Sequence, residues 1–141
     1  MTATTTLTAA PTVRRVRTAK SLWVTGAASG LAASTATVGV AALARAIDVP
    51  LTVGGEAIPL VVFAQLTFVA SIVGTVLAVV MSRRTGRPRH TFLTTTMVLT
   101  LVSIVPDVLA DAQTATRVAL ALTHGIAAAI VIPALASRLT D

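Results

Sequence analysis

Four long apolar runs, separated by short polar or charged stretches, organise this chain: residues 20–47, 59–82, 91–110 and 114–139. A hydrocarbon core about 30 Å thick needs roughly 20 residues per helical crossing, and each run reaches that length. The pattern predicts an all-α membrane protein, an antiparallel bundle of four transmembrane helices forming one domain over residues 19–141. Residues 1–18, rich in Thr and Ala and then in Arg, offer nothing to bury. They are expected to form a disordered basic cytoplasmic tail. Pro59 suits the first turn of the second helix, and Pro133 predicts a kink in the fourth.

The segment Asp48–Pro59 is the largest break between runs. Leu51-Thr52-Val53 and Glu56-Ala57-Ile58 flank Gly54-Gly55, the pattern of a tight β-hairpin. A lone ribbon of this size is marginal, so the hairpin must pack on the helix ends as a cap or lid. Along the first helix, Gly26, Ser29, Gly30, Ala33, Thr37, Ala41 and Ala44 recur at steps of three or four. Such a small-residue stripe lets helix backbones approach closely in lipid. It predicts an intramolecular interface first, with a homodimer through the Gly26/Gly30 face as the alternative.

Charge then orients the bundle. Arg14, Arg15, Arg17 and Lys20 precede the first run, Arg83, Arg84, Arg87 and Arg89 follow the second, and Arg138 follows the last. The acids Asp48, Glu56, Asp107 and Asp111 fall near the opposite ends. Basic flanks stay inside, which places both termini in the cytoplasm of a bacterial cell and the hairpin outside. The expected location is the cytoplasmic (inner) membrane, crossed several times. The first run is too long for a signal-peptide core and reads as a retained helix.

Composition supports this: 55% of residues are hydrophobic, 11% are charged, and the mean hydropathy is +0.88. The net charge of +6 lies in short flanks without an aromatic-studded patch, so nucleic acid is not the expected partner. The lipid bilayer is, with anionic headgroups attracting the inner arginines. The chain has no cysteine, which removes disulfides and thiolate metal sites.

Candidate chemistry lies in the polar residues inside the runs. Thr96, Thr100, Ser103, Asp107 and Asp111 share one face of the third helix, at steps of four, three, four and four. Thr114, Arg117, Ala121, His124 and Ala128 form a stripe on the fourth. Counting outward from the turn near Gln113 puts Asp107 and Arg117 at similar depth, roughly 6–9 Å from the turn. His124 falls deeper, level with Thr100 and Ser103, and Gln65 on the second helix falls near the Asp107–Arg117 layer. An Asp107–Arg117 salt bridge is therefore expected, fixing the register of the last two helices and open to a further role on a ligand. Asp111 is expected to cap the fourth helix. His124 is expected to bond Thr100 or Ser103, or to shuttle protons. Glu56 and Arg45 are read as solvated or paired with one another. One His with two carboxylates lacks a third metal ligand, and no nucleotide or phosphate fingerprint is present, so neither a metal nor a cofactor is predicted. Trp23, Phe63, Phe68 and Phe92 are too few to line a carbocation-stabilising pocket.

The segments Pro106-Asp107-Val108-Leu109-Ala110-Asp111-Ala112, Thr116-Arg117-Val118-Ala119-Leu120-Ala121-Leu122-Thr123-His124 and Ile132-Pro133-Ala134-Leu135-Ala136 carry a resemblance. The chain resembles an uncharacterised actinobacterial family of small four-helix integral membrane proteins, sometimes labelled cell-envelope proteins. The likeness covers most of the chain after about Arg14 and implies topology, without a reaction.

Three functions fit these features. The first is a cofactor-independent acid–base enzyme of cyclase, epoxide-opening or isomerase type, acting on a lipophilic small molecule in a pocket open to the outer leaflet. In it Asp107, His124 and Asp111 are the catalytic candidates, and Arg117, Gln65, Ser103, Thr100 and Glu56 the substrate-binding ones. The second is a non-catalytic membrane scaffold or accessory subunit. The third is a small proton-coupled carrier, for which four helices would have to dimerise. An enclosed cavity of a few hundred Å³ reaching Asp107 and His124 discriminates the first from the second.

Overall fold

The computed structural model describes residues 11–141, with side chains described from Ala19 onward. Its helices are α1 (Pro11–Ala46), α2 (Leu60–Arg84), α3 (Pro88–Leu109) and α4 (Thr114–Ala136). Two short strands, β1 (Thr52–Val53) and β2 (Glu56–Ala57), lie between α1 and α2. All four helices contain stretches long and apolar enough to cross a membrane. Residues 1–10 of the expected tail lie outside the described residues, and α1 begins at Pro11 rather than near Lys20. Pro88 opens α3 three residues before the predicted start, because proline at N1 sacrifices no helical hydrogen bond.

The small stripe of α1 is buried along its whole length, from Gly26 to Ala44. A Cβ on Gly26 would overlap the Thr75 side chain of α2, and one on Gly30 would come within 2.9 Å of Ser71 Cβ. Gly26 and Gly30 are thus packed inside the chain against α2, the intramolecular interface that the stripe implied. Polar atoms in this contact arrive already bonded. Ser71 and Thr75 donate to the carbonyls of Thr67 and Ser71 at 2.9 and 2.7 Å, as hydroxyls in tightly packed helices do. Two bonds cross between the helices: Ser34 Oγ donates to Ala64 O at 3.1 Å, and the Thr37 and Thr67 hydroxyls meet at 3.1 Å.

The hairpin forms as predicted. Thr52 pairs with Ala57 and Val53 with Glu56, antiparallel. Gly54 and Gly55 turn the chain at φ +59° and +83°, the left-handed pair a two-residue turn of this type requires. Leu51 adopts φ 45°, costly for a branched side chain, but its side chain is fully buried with Ala41, Ala44, Phe63 and Ala119. Gly54 N–H also donates to Asp111 O at 2.8 Å, tying the hairpin to the α3–α4 connection. At the other end of the bundle, Asp141 Oδ1 accepts from the backbone N–H groups of Arg89 and His90 at 2.8 and 3.2 Å. That carboxylate satisfies donors which the first turn of α3 otherwise leaves open.

α1 packs most extensively on α2 and α4, while α3 is the least buried helix and joins the others mainly through α4. This uneven packing leaves a space between α2, α3 and α4, and the polar faces read from the sequence line it.

Candidate functional site

Asp107 on α3 and His124 on α4 form the centre of the site: His124 Nδ1 lies 2.8 Å from Asp107 Oδ2. The contact is a close N···O approach rather than an aligned hydrogen bond, and the buried Oδ2 has no hydrogen-bond partner among the described residues. A carboxylate has only lone pairs to offer, so in the neutral imidazole the proton belongs on the nitrogen facing it, Nδ1, which leaves Nε2 as an acceptor. The imidazole is 42% exposed, against 15% for the aspartate, so the ring is reachable while its anchor is not. A carboxylate that fixes the tautomer and orientation of a histidine makes the far nitrogen a positioned proton acceptor.

This pairing replaces the expected Asp107–Arg117 bridge, since among the described residues His124–Asp107 is the one close contact between a carboxylate and a basic side chain. The cause is the α3–α4 connection. Equal counting outward from a tight turn assumes that both helices end at the same level. Instead, residues 110–113 leave the helices, with Ala110 and Gln113 flanking the break in extended backbone at ψ 143° and 151°. Between them the chain bends, with Ala112 N–H donating to Ala110 O at 2.9 Å, so the connection is not a tight turn joining helix ends at one level. His124 lies ten residues into α4, about 15 Å along its axis, and that offset brings it level with Asp107. Arg117 sits two turns nearer the hairpin, its Nε buried and without a hydrogen-bond partner.

Two further expectations are corrected, at Asp111 and Gln65. Asp111 is exposed; its side chain caps nothing, since α4 begins after Gln113 with no side-chain cap, and only its backbone carbonyl is engaged. Gln65 is exposed and lines neither cavity, because its position on α2 turns it away from the α3–α4 contact. Glu56 and Arg45 are both exposed, the solvated alternative of the two expected, and Arg45 donates to Ile58 O.

Two cavities meet at His124. The larger, about 390 Å³, lies between α2, α3 and α4 on the arginine side of the imidazole, and His124, Thr67, Ser71, Thr96, Thr100 and Ser103 supply its polar wall. The rest is apolar, including Phe92, Leu77 and Val131. The smaller, about 180 Å³, lies toward the hairpin and is lined by Asp107 with Phe63, Leu66 and Thr123. Thr67, Ala70, His124 and Ala127 belong to both walls. Val73 on α2 and Leu99 on α3 line the larger cavity yet are 60% and 52% exposed, so it opens sideways between those helices. The expected pocket opening at the hairpin end, built from Asp107, Arg117, Gln65 and His124, is therefore divided and displaced. Its main volume lies on the far side of the imidazole.

Ser103 and Thr100 do reach the cavity, as their spacing on α3 implied. Ser103 donates to Thr100 O at 2.8 Å and not to His124. The contribution of α2 was missed. Thr67, Ser71 and Gly74, at steps of four and three, are the signal that could have found it. Among the described residues, no three His, Cys, Asp or Glu side chains come together as a metal-holding group.

Comparison with curated proteins and with solved structures finds no match. The model of a family of unknown function, DUF6069, matches residues 17–141, and the chain belongs to that family.

Proposed function

We propose that this chain crosses a bacterial cytoplasmic membrane four times as an antiparallel bundle and holds a lipophilic small molecule against the His124–Asp107 pair for proton-transfer chemistry. Support for insertion comes from the four apolar helices and from the gathering of the basic residues, apart from Arg45 and Arg117, at one end of them. In this orientation the hairpin faces outward and the basic α2–α3 connection faces the cytoplasm, with both termini. The actinobacterial envelope setting implied by the resemblance of the last two helices is part of the same proposal.

One observation carries the chemistry: the 2.8 Å His124–Asp107 contact stands at the wall of a 390 Å³ cavity that opens sideways between α2 and α3. In a bilayer that opening faces acyl chains, so a lipophilic molecule enters without crossing water. The volume falls in the range of small-molecule sites, and the mostly apolar lining with a few convergent polar groups is their usual character. His124 Nε2 takes a proton from the bound molecule, Asp107 stabilises the imidazolium, and the same nitrogen returns the proton elsewhere on the product. Ring closure, intramolecular epoxide opening and double-bond isomerisation all balance in this way without a co-reactant.

Each of these reactions leaves the substrate mass unchanged, which gives the test. Membrane lipids from cells producing the wild type should contain an isomer that is lost with His124→Gln and with Asp107→Asn, both variants remaining folded. Identical lipid profiles from all three would overturn the reading.

A further inference from the structure

Resting on the proposed site, we infer that the cavity's ligand is a lipophilic alcohol whose hydroxyl donates to His124 Nε2 and accepts from Thr100. The argument is an inventory of protons. Four of the five hydroxyls on the cavity wall have already committed theirs. Ser71 donates to Thr67 O at 2.9 Å, Thr96 to Phe92 O at 2.7 Å, and Ser103 to Thr100 O at 2.8 Å. Thr67 meets Thr37 Oγ1 at 3.1 Å, and Thr37 spends its own proton on Ser34 O, also at 3.1 Å, so Thr67 is the donor. These four oxygens offer the cavity only lone pairs. His124 offers another at Nε2, because the carboxylate 2.8 Å from Nδ1 favours the tautomer with its proton there. Thr100 alone makes no side-chain hydrogen bond among the described residues, and its hydroxyl lines the same wall.

The wall therefore presents several acceptors and one free donor. A ketone, ester or ether supplies no proton for His124, and would leave the most exposed acceptor unpaired in an apolar space. An ammonium group supplies protons but cannot accept from Thr100. A carboxylate supplies acceptors against acceptors. A hydroxyl group, one donor with two lone pairs, satisfies both partners at once. Its apolar remainder lies along Phe92, Leu77 and Val131, and the chain leaves between Val73 and Leu99 toward lipid.

The test uses the full chain in nanodiscs and a diazirine-bearing fatty alcohol as photoprobe, with adducts mapped by mass spectrometry. Decanol, its methyl ether and decane serve as competitors. The probe should mark residues around Leu99 and Ala127, and decanol should displace it at about one-tenth the concentration of the ether, the value of one hydrogen bond in such a site. In His124→Phe that preference should fall to near unity, whereas Thr100→Val should weaken alcohol and ether alike and leave the preference standing. Cavity labelling displaced equally by alcohol and ether in the wild type would overturn this inference and leave the lipophilic site standing. Absence of adducts in the cavity would remove both. Since the decisive comparison is made on the wild type, a variant that fails to fold does not blunt it.

Discussion

Asp107, two residues from the end of α3, meets His124, ten residues into α4, across 2.8 Å. The contact pairs positions at unequal distances from the α3–α4 connection, whose four residues offset the two helix ends. Thermal melts of Asp107→Asn, His124→Gln and the double variant should therefore show coupling of about 1 kcal/mol, as one polar contact between partly exposed partners gives. Arg117→Gln combined with Asp107→Asn should be additive within about 0.5 kcal/mol. The reverse pattern, with coupling to position 117 and none to 124, would contradict the geometry.

Close packing of α1 on α2 makes Gly26 intolerant of any side chain. Gly26→Val should destabilise the folded chain by about 1–3 kcal/mol, the usual cost of overpacking. Adding Thr75→Ala should recover part of it, since Thr75 is what the new atoms meet. Gly39 lies on the same helix with open space around it, so Gly39→Ala should instead stabilise by about 0.5–1 kcal/mol. Equal effects at positions 26 and 39 would mean that the stripe does not pack as described.

The hairpin is held by one buried side chain and two left-handed glycines. Leu51→Ala should cost about 2–5 kcal/mol, because the residue is fully buried against α1, α2 and α4. Gly55→Val should cost about 1–2 kcal/mol from φ +83° alone, with open space around its Cβ. Denaturation midpoints in a mild detergent series measure both, and unchanged stability in Leu51→Ala would show the hairpin to be undocked.

The proposed orientation rests on the basic flanks and is tested without disturbing the core. The chain has no cysteine, so Gly55→Cys and Thr85→Cys each carry a single thiol. An impermeant thiol reagent applied to intact cells should label the first and spare the second. Labelling of position 85 alone would invert the topology.

What the sequence determined by itself is what depends on period and composition. Runs of sufficient length, the small stripe from Gly26 to Ala44 and the paired glycines at 54 and 55 specify helices, a close helix contact and a tight turn through local sterics. Those features can be read one element at a time. Partner choice was decided only by tertiary structure. Helical spacing turns Asp107 and His124 to the faces they occupy, but it carries no information on how far one helix slides past another. The four residues of the α3–α4 connection set that offset. They exchanged the expected Arg117 for His124, and α2 supplied Thr67 and Ser71 where Gln65 was expected. The commitment of each cavity hydroxyl's proton likewise depends on which carbonyl lies within reach. That is a matter of distance in the folded chain, to which no residue pattern gives access.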